Sequence, residues 1–162
     1  MTTIIYNKKN TEQLQNQTKD WLGYMSFSHY LVIDLPLNRR QYDFKKATKY
    51  LKTIVKRFEK ELIGRHWNKH PVHFLGIAES GDHHIWHWNL LLEASKYTDT
   101  ELQNAVTSTT NYMKLDLKTM DLQPINRTKE VLNGYVVKEL QANKTFRVDS
   151  DRIFTSKTLF NL

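Results

Sequence analysis

Val72-His-Phe-Leu-Gly-Ile-Ala-Glu79, Ser80-Gly-Asp-His-His84 and Ile85-Trp-His-Trp-Asn-Leu-Leu-Leu92 run consecutively, and this stretch decides the fold. Two runs rich in apolar, β-branched and aromatic residues flank a short polar segment, the pattern of two strands joined as an antiparallel hairpin. Ser80-Gly81-Asp82 supplies turn chemistry between them. The same stretch sets Glu79, His83, His84, His87 and Asn89 against strongly apolar neighbours. Such polar groups are costly to bury unless something pairs with them, and a divalent metal ion is the simplest common partner.

Side chains alternate along a strand. His83, Ile85, His87, Asn89 and Leu91 therefore share one face, and His84, Trp86, Trp88 and Leu90 share the other. His87 and Asn89 project together, about 7 Å apart along the strand. An imidazole nitrogen with amide and carboxylate oxygens suits Mn²⁺ or Mg²⁺; a structural zinc site would usually bring cysteines. A tight turn at residues 80–82 would set Glu79 against His83 or His84, making His83 a rival ligand. A wider loop would set Glu79 against His87. The remaining histidines, His29, His66, His70 and His73, are scattered and read as structural.

Working outward, Phe27 to Leu35 reads as a strand ended by Pro36. Phe44, Ala47, Leu51, Ile54, Phe58 and Leu62 recur at helical spacing, and Gly64 supplies a stop. The outer face of that helix carries Lys45, Lys46, Lys49, Lys52, Lys56, Arg57 and Lys60. After the hairpin, Thr98 or Asp99 starts a second helix running to about Tyr112. Met113 to Gln123 reads as a fourth strand, with Leu115 and Leu117 on one face. Beyond Pro124, Asn126 or Thr128 caps a third helix to about Asn143, and Asp151 to Thr155 is a weak strand. The order β-α-β-β-α-β, then a helix, implies an α+β fold: a ferredoxin-like or RRM-like antiparallel sheet of about five strands with helices packed on it. Residues 1–20 read as an N-terminal arm and residues 21–162 as a single domain.

The 162 residues carry a formal net charge of +7 and contain no cysteine. A basic excess favours a polyanionic partner. The absence of thiols removes disulfides, thiolate ligands and a cysteine nucleophile. No run approaches the roughly twenty apolar residues needed to span a bilayer, and residues 1–20 lack the apolar core of a secretory signal. The expected compartment is the cytoplasm, or the nucleus for a chain of eukaryotic viral origin.

Tyr135-Val-Val-Lys138 places a tyrosine and a lysine one helical turn apart on the third helix, facing the same way. A phenol is a poor nucleophile at its ordinary pKa of about 10, and a nearby cation favours the phenolate. Taken alone, the pair is also what a helix tyrosine beside a snorkelling lysine produces.

Together, these pieces resemble the HUH endonucleases, and among them the single-tyrosine initiators of rolling-circle replication. The resemblance spans roughly Phe27 to Leu140. Phe27 to Leu35 sits at the family's first motif. His87-Trp88-Asn89 sits at its His-hydrophobic-His motif, with Asn89 in place of the second histidine and Leu90-Leu91-Leu92 following. Glu79, eight residues earlier, sits where several members place an acidic ligand, and Tyr135-Val-Val-Lys138 matches the nucleophile motif.

The resemblance implies a metal held by His87, Asn89 and Glu79, and attack by Tyr135 on a single-stranded DNA phosphate at an origin or hairpin. It gives Lys138 the role of positioning the phosphate or balancing its charge. No Gly-x-x-x-x-Gly-Lys-Ser/Thr loop is present, so unwinding falls to a host helicase. Lys45, Lys49, Lys52, Lys56, Trp86 and Trp88 are candidate contacts to DNA. The alternatives are a transposase or relaxase of the same superfamily, a non-catalytic RRM-like single-strand binder, and a structural domain with incidental histidines. Oligomeric state is not legible from the sequence.

Overall fold

The computed structural model describes residues 16, 26–39, 41–69, 71–80, 86–125 and 153–156. The chain divides into two compact units, and the fold below is that of Phe27–Ile125 with Asp151–Leu162. Its elements are β1 (His29–Asp34), α1 (Phe44–Ile63), β2 (His73–Ser80), β3 (Trp86–Glu93), α2 (Asp99–Met113), β4 (Met120–Pro124) and the short β5 (Ile153–Thr155). The protein is α+β. Four antiparallel strands in the order β4-β1-β3-β2 form the sheet, and β5 pairs with the outer edge of β2. Apart from residue 16, the expected arm at residues 1–20 lies outside the described residues, as does the expected third helix.

The two helices share one core with one face of the sheet. Leu31 and Ile33 of β1, Phe74 and Ala78 of β2, Trp88, Leu90 and Leu92 of β3, and Met120 and Leu122 of β4 all point into it. They meet Ala47, Leu51, Ile54, Val55 and Phe58 of α1 and Leu102, Ala105 and Val106 of α2. Each strand gives alternate residues to this core, and each helix gives residues three and four apart.

Both helices are capped by their own sequence. The Asp43 side chain accepts from the Lys46 backbone N–H at 2.8 Å to start α1. Gly64 ends α1 at φ 76°, a conformation that costs a residue without Cβ little. Thr98 and Glu101 form a reciprocal capping box at the start of α2.

Glu59 lies fully buried on the inner side of α1, and its Oε1 accepts from the Val72 backbone N–H at 3.0 Å. That bond ties the helix to the lead-in of β2. Burial pushes the carboxyl up to about 7, against the opposing effect of the Val72 bond.

The fourth strand differs from its expected span of Met113 to Gln123. Helix α2 continues through Met113, and Lys114 takes the left-handed conformation at φ 53°. The Leu115 N–H then bonds back to the Thr110 carbonyl at 2.9 Å, closing the helix end. Asp116 caps a 3-10 turn at Leu117–Thr119, and β4 starts only at Met120. Alternating leucines at 115 and 117 imitated a strand, but Leu117 is 71% exposed and belongs to the turn.

Candidate functional site

The candidate residues lie on the face of the sheet away from α1 and α2. Register builds this face in rows. One row runs Asp34 on β1, His87 on β3 and Glu79 on β2. The next runs Asp121 on β4, Val32, Asn89 and Ile77. A third runs Gln123, Tyr30, Leu91 and Leu75. Neighbouring strands lie about 4.8 Å apart, so His87 is flanked on both sides by a carboxylate residue. Leu75, Ile77, Asn89 and Leu91 are buried, yet none belongs to the helix-side core.

Five residues, 81–85, connect β2 to β3. This wider connection brings Glu79 opposite His87 and not opposite His83 or His84, deciding the open question of register in favour of His87. The His87 Nε2–H donates to Glu79 Oε2 at 2.5 Å, with side chains 31% and 20% exposed. Ring nitrogen and carboxylate thus converge on one point. The carboxyl of Asp34, on the other side of His87, is raised above its ordinary pKa. Lost hydration is the main cause; His87 pulls it back down, and Asp121 pushes it up.

Asn89 sits two residues along β3 on the same face and is only 5% exposed. Its Oδ1 accepts from the Tyr30 hydroxyl at 2.5 Å, and its Nδ2 is buried without a hydrogen-bond partner. A buried amide nitrogen left without an acceptor is costly. Rotating the amide by half a turn would let Nδ2 donate to the Tyr30 oxygen and would place Oδ1 at the buried position Nδ2 now holds. Imidazole, carboxylate and amide oxygen on one face are a donor set that suits Mn²⁺ or Mg²⁺ in kind. Among the described residues, no three His, Asp or Glu side chains gather closely enough to hold an ion. Asn89 is the next residue along β3 on the same face as the Glu79–His87 pair. His83, Tyr135 and Lys138 lie outside the described residues.

Two sets of candidate residues fall away from this face. Trp88 is fully buried in the helix-side core, which removes it as a stacking surface for DNA. Trp86 shares that side and packs against Phe44 with ring centroids 4.9 Å apart. Strand alternation requires this outcome, since both tryptophans have the parity of Leu90 and not of His87. Lys45, Lys49, Lys52 and Lys56 ride on α1, whose apolar side covers the opposite face of the sheet.

Sequence reasoning passed over Tyr30 and Asp34. Both share the parity of Val32 on β1, opposite to Leu31 and Ile33. That alternation was the available signal, and pairing β1 with β3 converts it into proximity to Asn89 and His87.

His29 is buried in the role expected of a scattered histidine. Its ring bonds Asp99 at the start of α2 at 3.0 Å and the Ser28 hydroxyl at 2.9 Å. No helix among the described residues is long and apolar enough to cross a membrane. No family model, curated protein or solved structure matches this chain.

Proposed function

We propose that this chain is an HUH-type endonuclease that nicks and rejoins single-stranded DNA through a covalent 5′-phosphotyrosine link, as an initiator of rolling-circle replication. The observation that carries the reading is the placement of Glu79 directly opposite His87, with Asn89 next on the same face of β3. The β-α-β-β-α-β order and the β4-β1-β3-β2 sheet support a ferredoxin-like scaffold beneath those residues.

Glu79, His87 and Asn89 would hold the divalent ion, Mn²⁺ or Mg²⁺. Bound there, it would polarise the scissile phosphate as a Lewis acid. Tyr135 would give up its phenolic proton and attack phosphorus in line. An O–P bond to the tyrosine forms as the bond from phosphorus to the 3′ oxygen breaks, and that oxygen takes up a proton. Lys138 would balance charge on the phosphate. A 3′-hydroxyl attacking the link reverses the reaction and rejoins the strand. The energy of the broken bond stays in the link, so no nucleotide is consumed, and a host helicase would supply unwinding. The substrate would be a single-stranded origin or hairpin, met in the cytoplasm or, for a eukaryotic virus, in the nucleus.

An RRM-like binding domain needs aromatic rings across an open sheet face. Among the described residues of this face, Tyr30 supplies the ring, while Leu75, Ile77, Asn89 and Leu91 are buried. That composition favours the endonuclease over a stacking platform.

The test is a covalent adduct. Labelled single-stranded oligonucleotides, including stem-loops, are incubated with the protein and Mn²⁺ and run on a denaturing gel. The expected result is a protein-linked band that EDTA prevents and Tyr135→Phe abolishes. A band that survives Tyr135→Phe overturns the assignment of the nucleophile, and no band with any stem-loop overturns the activity.

A further inference from the structure

We infer that the outer face of α1 is a second nucleic-acid surface, separate from the Glu79–His87 face, that binds the phosphate backbone of duplex DNA without reading its sequence. Lys45, Lys49, Lys52, Lys56 and Lys60 follow one another at steps of four, three, four and four residues. Side chains at those steps fall on one side of a helix. The five lysines therefore form a single stripe about 22 Å long, at 1.5 Å per residue. Lys45, Lys49, Lys56 and Lys60 are exposed and Lys52 is half-buried.

Lysines three and four apart repel one another and disfavour the helix that carries them. The two acids of α1 lie outside the stripe. Glu59 is turned into the core, and Glu61 pairs with Arg57 one turn earlier. Arg57 also lies over the Tyr112 ring of α2, 3.3 Å from its centroid. The helix thus holds a row of like charge on its outer side while its own acids are directed elsewhere.

Two features select duplex nucleic acid as the occupant. A helix that lies on an anionic membrane presents an apolar side to the lipid, but the apolar side of α1 is spent on Leu31, Ile33, Trp88 and Leu90 in the core. Single strands are usually gripped by cations with aromatic rings between them. The exposed positions of α1 carry Lys45, Lys46, Lys49, Thr53, Lys56 and Lys60, with no ring among them. A straight row of point charges fits a row of backbone phosphates and carries no base recognition.

The stripe and the His87 face are separated by the sheet and by a helix about 10–12 Å in diameter, so one molecule offers two DNA surfaces facing apart. This inference does not depend on the tyrosine chemistry.

Fluorescence anisotropy with the full chain and a random-sequence duplex tests it. The variant is Lys49→Gln/Lys52→Gln/Lys56→Gln, with thermal melting as the control for folding. Removing three phosphate contacts should weaken low-salt binding by roughly tenfold or more and flatten the log–log salt slope by about 2.7. The corresponding triple arginine variant should restore both. Tyr135→Phe and His87→Ala should bind the duplex as the parent chain does, which separates this surface from the proposed endonuclease. An unchanged salt slope in the folded glutamine variant would overturn the inference. So would stripe-dependent binding to phosphatidylserine vesicles without binding to the duplex.

Discussion

Glu79 and His87 are register partners on adjacent strands, and the imidazole Nε2–H donates to the carboxylate at 2.5 Å. Both side chains are only partly shielded from water. A screened pair of this kind contributes about 1 kcal/mol or less to stability. Its consequence is orientation: the bond fixes which edge of the imidazole faces β2, and it holds a nitrogen and an oxygen donor at one point above the sheet.

Metal binding is the first consequence of that convergence. His87→Ala and Glu79→Ala should each weaken Mn²⁺ binding by at least about tenfold, since each removes a proposed donor to the ion. Asn89→Asp should tighten it, because a charged oxygen replaces a neutral one. Electron paramagnetic resonance titration of Mn²⁺ reads all three without any DNA. Equal affinity in the parent chain and in His87→Ala would remove this pair from metal binding.

Tyr30 and Asn89 are coupled in a second way. Tyr30→Phe takes away the hydroxyl that bonds the buried Asn89 amide and leaves Oδ1 without this donor. The expected loss is about 1–2 kcal/mol of unfolding free energy, that of a buried polar group stripped of its partner. Urea denaturation measures it. If Tyr30 also sets the orientation of the amide, Mn²⁺ affinity should shift in the same variant. A stability loss with unchanged affinity would confine Tyr30 to packing.

Most of the sheet was legible because alternation is a short-range signal. His87 and Asn89 on one side, and Trp88 and Leu90 on the other, follow from the parity of β3 alone. Trp88 was expected to contact DNA on its aromatic character, and the same parity sets it instead on the buried side of β3. Pairing across strands is a long-range property. Whether Glu79 met His83 or His87 depended on how many residues the connection between β2 and β3 consumes, and the turn residues at 80–82 did not fix that number. The start of β4 was obscured for a local reason: the cap at Asp116 competes with the strand-like alternation of Leu115 and Leu117, and hydrogen bonding at the helix end prevails.

The capping box of α2 offers a test of the fold independent of the site. Thr98→Ala removes the hydroxyl that accepts from the Glu101 backbone N–H at 3.2 Å. The expected cost is about 1 kcal/mol. Thermal melting followed by circular dichroism should register a lower midpoint, and Thr98→Ser should recover most of the loss. An unchanged midpoint in Thr98→Ala would mean that α2 is held by its packing on β4 without help from the cap.

Glu59 makes stability depend on pH. Its carboxyl sits at about 7 in the folded chain, against an ordinary value of 4.5. Between those two values the folded state holds the proton more tightly than the unfolded state, so unfolding free energy falls as pH rises. The stabilising proton is fully in place below about 4.5, and its benefit is gone once pH passes about 7. A difference of this size corresponds to about 3 kcal/mol over the whole window. Glu59→Gln cannot ionise, and its amide oxygen can still accept from Val72. The variant should therefore be more stable than the parent chain at pH 8, and the gap should close on acidification towards pH 5. Urea unfolding at several pH values measures that gap directly. Parallel stability curves for the two proteins would show that Glu59 does not titrate in this range, and the pH dependence would then belong to groups outside the α1–β2 junction.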